Sequence, residues 1–114
     1  DKVKILIEDF LKANPSKNSS QVTIACYGIA FKEDIGDLRE SPAMNITRQI
    51  ADMHDGAVIA VEPNINMLEK EKFKLMSLEE ADKKVDIAVL LVSHKEFKMH
   101  RPNTSFLLDT KGIW

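Results

Sequence analysis

The sequence predicts an α/β fold, a three-layer α/β/α sandwich around a mostly parallel, Rossmann-like sheet. Two observations carry that prediction. Short apolar, β-branched runs alternate with segments of helical periodicity, the order expected of a parallel sheet with crossover helices. Two of those runs, "VTIACYG" at 22–28 and "VDIAVLLVS" at 85–93, are apolar throughout rather than alternating, as strands covered on both faces are.

Each element has its own warrant. Val3, Ile7, Phe10 and Leu11 fall at helical spacing, and Asn14-Pro15 ends that short amphipathic helix. The polar turn "NPSKNSSQ" leads into the first strand at 22–28. Ser41-Pro42 reads as an N-cap followed by proline at the first helical position, where the missing N–H is harmless. Ala43, Ile46, Ile50 and Met53 then form the apolar stripe of a helix that stops near Gly56. "AVIAVEP" is a second strand closed by Pro63, and 64–76 is ambiguous, with a helical turn and a short strand "FKLM" as candidates. Ser77 and Glu80 stand at capping-box spacing for a short helix to Lys83. The run 85–93 is the central strand by composition, "HKEFKMHRPNTS" a loop or one helical turn, and "FLLDTKG" the last strand. No internal repeat or low-complexity tract interrupts this order.

The 114 residues, 44% of them hydrophobic, suffice for one domain with a single core. Sixteen Lys and Arg against 18 Asp and Glu leave a net charge of −2, which gives no field to gather nucleic acid or an anionic membrane surface. An anionic ligand must therefore be caught by placed residues. The single Cys26 excludes an internal disulfide, and no apolar run approaches the roughly 18 residues of a membrane span. The charged, amphipathic start does not read as a signal peptide. Together these predict a reducing, cytoplasmic setting. The chain opens on Asp1 rather than Met and closes on Trp114 directly after a strand, so a piece of a longer protein is expected.

The densest stretch is "GIAFKEDIGDLRESPAMNI", Gly28 to Ile46. A strand-to-helix connection ordinarily takes about two to six residues, and this one has roughly a dozen, mostly charged. In open parallel sheets ligands lie beyond the carboxyl ends of the strands, which puts this loop on the binding edge. The Gly-x-Gly-x-x-Gly fingerprint that brings backbone up to a dinucleotide pyrophosphate is absent. Lys32 offers instead a point cation and Arg39 a planar fork, both suited to phosphate, with Asp34 and Asp37 orienting them or holding loop N–H groups. The competing reading is a solvated charged loop whose ion pairs contribute less than about 1 kcal/mol each. Capping accounts for Ser41 without catalysis, and Cys26, mid-strand, reads as a small buried hydrophobe rather than a thiolate.

The run Gly28-Ile29-Ala30-Phe31-Lys32 followed by Asp37, Arg39, Glu40, Ser41 and Pro42 resembles the opening of the C-terminal, UDP-binding domain of the UDP-glucose/GDP-mannose dehydrogenase family. The resemblance continues from about residue 20 through "VEPNI", "LLVSHKEF" and "LLDTKGIW". It implies that Phe31 and Lys32 contact a UDP-sugar, that Arg39 reaches NAD, and that Lys111 contacts substrate. Many relatives carry arginine at the last position, and lysine there leaves a single-point contact. Residue chemistry and resemblance agree on the cations and differ over Arg39, phosphate in the one and cofactor in the other. The family reaction oxidises a sugar 6-hydroxyl to a carboxylate in two NAD-dependent steps through a cysteine adduct. That nucleophile, its helpers and the Gly-rich NAD site belong to N-terminal and central domains absent from this chain. The resemblance thus makes residues 1–114 a UDP-sugar-binding domain with a leading helix and turn at 1–20, inactive alone and part of a homo-oligomeric full-length enzyme. The "VEPN" and "D-x-K-G-[IV]-W" blocks resemble most the branch acting on UDP-N-acetyl-D-mannosamine for surface polysaccharide. The UDP-glucose and GDP-mannose branches, and a stand-alone non-catalytic α/β nucleotide-binding module, are the alternatives.

Other residues read more plainly. His94 follows the central strand at the binding edge, where a loop histidine or helix start is favoured over a ligand contact. His54 and His100 lack partners at metal-ligand spacing, so no metal site is expected. Glu62 ends the second strand but lies too far from any glycine motif for the ribose role of a dinucleotide fold, and reads as structural. Asp109 is expected to anchor the final loop through backbone N–H groups. Trp114 is core or an exposed end, and the first helix packs either on this sheet or on a missing domain.

Overall fold

The computed structural model describes residues 2–30, 38, 41–65 and 71–114. Along the chain run α1 (Lys2–Ala13), a single 3-10 turn (Ser19–Gln21), β1 (Ile24–Tyr27), α2 (Pro42–Met53), β2 (Val58–Val61), β3 (Lys74–Leu75), α3 (Leu78–Lys84), β4 (Ile87–Leu90), α4 (Lys95–Lys98) and β5 (Leu107–Asp109). The strands form one sheet in the order β3-β2-β1-β4-β5, and each of the four pairings is parallel. The predicted α/β/α sandwich is what forms. In the ambiguous stretch, the proposed strand survives as two residues at the sheet edge.

Register and burial explain why β1, β2 and β4 are apolar at every position. Ile24 lies between Val58 and Ile87, and Cys26 between Ala60 and Val89. Those side chains share a core with Val3, Ile7 and Phe10 of α1 and with Ala43, Met44 and Ile50 of α2. The alternate residues Ala25, Tyr27, Ile59, Val61, Ala88 and Leu90 face the opposite layer, where Ala81 of α3 and Phe97 of α4 cover them. A strand with helices on both faces has no solvent side on which to place polar residues.

The first helix settles on this sheet. Phe10 meets Phe106, just before β5, edge to face with ring centroids 5.1 Å apart. The helix thereby covers the β4–β5 side of the layer that α2 covers elsewhere. Local capping matches the sequence expectation. Ser41 caps α2 by accepting from the Met44 N–H at 3.1 Å, with Pro42 in the first turn. Ser77 and Glu80 form a reciprocal capping box on α3.

Candidate functional site at the carboxyl ends of β1 and β4

The order β3-β2-β1-β4-β5 creates a switch point between β1 and β4. The chain leaves β1 for α2 on one face and leaves β4 for α4 on the other, the arrangement beside which open α/β sheets bind their ligands. Directly after β1 sits Gly28, with φ of 91°. A Cβ there would lie 2.7 Å from Val92 Cβ and 2.9 Å from Val92 N and O. Glycine is needed for both reasons, since a side chain would meet the β4 loop and L-residues disfavour that backbone. The Gly28 N–H still donates to Val61 O at 2.8 Å, carrying the β1–β2 pairing one residue further.

Directly beyond, the backbone turns its N–H groups to a protein anion. Ile29 N and Ala30 N both donate to Glu62 Oε1 at 3.0 Å. Glu62 closes β2 and is 3% exposed, a burial that a carboxylate tolerates only when bonded or paired. His94, fully buried at the end of β4, places Nε2 at 2.8 Å from the same oxygen. Asn64 donates to Oε2 through its backbone N–H at 3.2 Å and its side-chain amide at 3.1 Å. The second amide hydrogen points to His94 Nδ1, 3.3 Å away. Loss of hydration is the largest single influence on Glu62 and raises its pKa. The bonds from His94, Ile29 and Asn64 together outweigh it and hold the carboxyl below its ordinary range.

The far end of the loop is tied to the same place. While capping α2, Ser41 donates its hydroxyl to Ile29 O at 2.7 Å. On the other flank, Asp109 gathers the N–H groups of Lys111, Gly112 and Trp114 at 2.7–2.8 Å, as the sequence predicts. Desolvation raises its pKa most, yet the donated N–H groups of Trp114, Lys111, Gly112 and Ile113 leave it lowered. Thr110 Oγ1 donates to Leu90 O at 2.6 Å and binds this turn to the end of β4. Lys111 is therefore exposed at the same carboxyl edge of the sheet, two strands from β1. Trp114 turns out half-buried, with its ring edge-on to Tyr27 at 5.1 Å and its Nε1 donating to Phe97 O. Beyond the ends of β2 and β3 lies a cavity of about 380 Å³ bordered by Glu62, Pro63, Ile65, Met76 and Leu78.

Of the residues singled out from sequence, Phe31, Lys32, Asp34, Asp37 and Arg39 lie outside the described residues, as does Glu40. Their two flanks, Ala30 and Ser41, are both fixed at the switch point. Cys26 is fully buried, and burial pushes its thiol up to about 12, against a smaller opposing effect of a bond with Thr47. Neither that thiol nor the doubly bonded Ser41 hydroxyl is a nucleophile in waiting. His54 donates its Nε2–H to Val22 O at 2.7 Å, and His100 lies 2.7 Å from Asp82. Among the described residues no group of three His, Cys, Asp or Glu could hold a metal ion. Sequence reasoning had Glu62 as structural and His94 as a helix start. His94 does stand at the N-cap position of α4, but its bond to Glu62 went unread. The available signal was a glutamate ending a strand buried on both faces, which requires donors from elsewhere.

Comparison with known proteins accords with this geometry. Residues 25–114 match the UDP-binding domain of the UDP-glucose/GDP-mannose dehydrogenase family, and the chain belongs to that family. UDP-N-acetyl-D-mannosamine dehydrogenase of Yersinia pestis is 44% identical over 120 aligned positions, covering all of this chain and 28% of that protein. An NDP-N-acetyl-D-galactosaminuronic acid dehydrogenase of Ralstonia solanacearum is 38% identical over 104 positions, covering 87% of this chain and 25% of its own length. The chain thus spans little more than a quarter of these relatives, which are dehydrogenases. Among solved structures, a UDP-D-ManNAc dehydrogenase from Pyrococcus horikoshii superposes with a TM-score of 0.69 over 96% of this chain and 26% of that one. At 23% identity, that likeness speaks for the fold.

Proposed function

We propose that this chain is the UDP-sugar-binding domain of a longer, cytoplasmic, homo-oligomeric, NAD-dependent nucleotide-sugar 6-dehydrogenase. The sugar nucleotide is UDP-N-acetyl-D-mannosamine, oxidised to the uronate for surface polysaccharide. The observation that carries this reading is the loop at the β1–β4 switch point. Both of its ends are held by hydrogen bonds at the switch point, and between them the sequence carries Phe31, Lys32 and Arg39. Identity of 44% along the whole chain to an enzyme named for that substrate supports the choice of sugar. Phe31 and Lys32 contact the UDP-sugar, Lys111 reaches the substrate from the β5 turn, and Arg39 leans toward NAD.

Among the described residues no dinucleotide cradle is formed. Such a cradle presents unengaged backbone N–H groups to the pyrophosphate, and here those of Ile29 and Ala30 are given to Glu62. NAD, which accepts the hydride when bound, belongs in this reading mainly to an N-terminal domain, so the 114-residue chain is inactive alone. Half a cleft forfeits its partner's contacts, and weak UDP binding is the expectation.

Backbone amide NMR during a UDP titration, on this chain and on the longer gene product that encodes it, tests the reading. Shifts clustered at residues 28–41 and near Lys111, and abolished in Lys32→Ala, are expected. Absence of UDP-induced shifts at millimolar nucleotide in both forms overturns the binding role. Reduction of NAD by the longer product with UDP-N-acetyl-D-mannosamine, followed by absorbance, tests the activity and the sugar; faster turnover of UDP-glucose reassigns the branch.

A further inference from the structure

We propose that Glu62, held by His94 and Asn64, is the positioning residue of the nucleotide-binding loop. It fixes the Gly28–Ile29 and Ile29–Ala30 peptides, and it fills with a protein carboxylate the backbone anion site this fold otherwise offers to a phosphate. The inference rests on the roles given above to Phe31 and Lys32.

Backbone pairing already accounts for the sheet, so Glu62 is not needed to hold strands together. Its bonds go to the loop and to the ends of neighbouring strands. One oxygen collects two loop N–H groups and the His94 ring from the N-cap of α4, and the other collects the backbone N–H and side-chain amide of Asn64. Ile29 is held on both sides, its N–H by Glu62 and its carbonyl by Ser41. After Gly28, with its positive φ, successive N–H groups converge on one acceptor, which is the geometry of an anion-binding nest. A nest already occupied by an internal carboxylate cannot also take a ligand phosphate. Recognition of a diphosphate then passes to side chains of the loop, with Lys32 as the point charge, and Ala30, the residue from which that loop departs, is held by Glu62. A displacement of about 1 Å in such a contact is enough to weaken it many-fold.

The test repeats the UDP titration, in the same two forms, on His94→Leu and His94→Gln. Leucine removes the donor to Glu62, whereas glutamine retains an N–H. His94→Leu is expected to shift the Ile29 and Ala30 amides, leave those within β1 and β4 near their wild-type positions, and weaken UDP by roughly tenfold or more. His94→Gln is expected to recover most of the affinity. A folded His94→Leu with wild-type affinity, or glutamine no better than leucine, overturns the inference and leaves the UDP reading standing. Failure of the wild type to bind UDP in either form overturns the reading and this inference with it. If His94→Leu does not fold, Asn64→Ala, at an exposed position that also donates to Glu62, takes its place, and unchanged UDP affinity there overturns the proposal.

Discussion

At the residue scale, the site depends on two positions whose reasons are steric and electrostatic. Gly28 is held at positive φ with the β4 loop against its Cα. Neither the backbone of Val92 nor its Cβ can swing aside as the tip of a long side chain would. Gly28→Ala is therefore expected to destabilise the fold by about 2–4 kcal/mol, the sum of backbone strain and overpacking, measured as a fall in the urea midpoint. A midpoint within error of wild type would mean the β1 and β4 loops are not in contact. Glu62 shows the opposite kind of specification. Nothing in "VEPN" names its partners, because Ile29, Ala30 and His94 lie about 30 residues away on either side and are gathered only by the sheet order.

Elements differ in how much of their ending is local. Ser77 and Glu80 satisfy one another within a single turn, so the start of α3 was readable from four residues. Ser41 caps α2 in the same local manner and also reaches across to Ile29 O, which sequence spacing does not reveal. The two serines should therefore respond differently to truncation. Ser77→Ala, at an exposed cap, is expected to lose about 0.5–1 kcal/mol, and Ser41→Ala about 2 kcal/mol because a buried carbonyl also loses its donor. Parallel urea denaturation of both variants measures this, and equal losses would show that the bond to Ile29 contributes nothing. The two-residue β3 falls inside "FKLM", which local reading offered as a candidate strand without bounding it. Lys74 and Leu75 become strand only because β2 presents an unpaired edge beside them.

For the whole molecule, the consequence is a particular acid sensitivity. Glu62 and Asp109 are both held below their ordinary pKa values of 4.5 and 3.8, chiefly by donors that overcome desolvation. A depressed folded-state pKa means that the unfolded chain binds more protons once the pH nears the unfolded value. The stabilisation is fully present above about pH 5 and is lost as the pH falls through the folded-state values. Thermal denaturation from pH 7 to pH 3 should show the midpoint falling most steeply below about pH 4.5, with a shallower fall in Glu62→Gln. An identical slope in that variant would remove Glu62 from the account. The same two groups tie the ends of β1 and β5, so acid should loosen the carboxyl edge of the sheet together with the fold.

By itself the sequence determined the class of fold, the order and type of nearly all its elements, the caps of α2 and α3, and the family. Those features are written in periodicity, in turn chemistry and in short blocks of adjacent residues, all of which act over a few positions along the chain. The tertiary structure alone decided that α1 lies on this sheet, that Trp114 packs on Tyr27, and that Glu62 and His94 meet beneath the loop. A buried charge must find donors wherever the strand order brings them, and strand order is fixed by which faces the crossover helices cover rather than by any local signal.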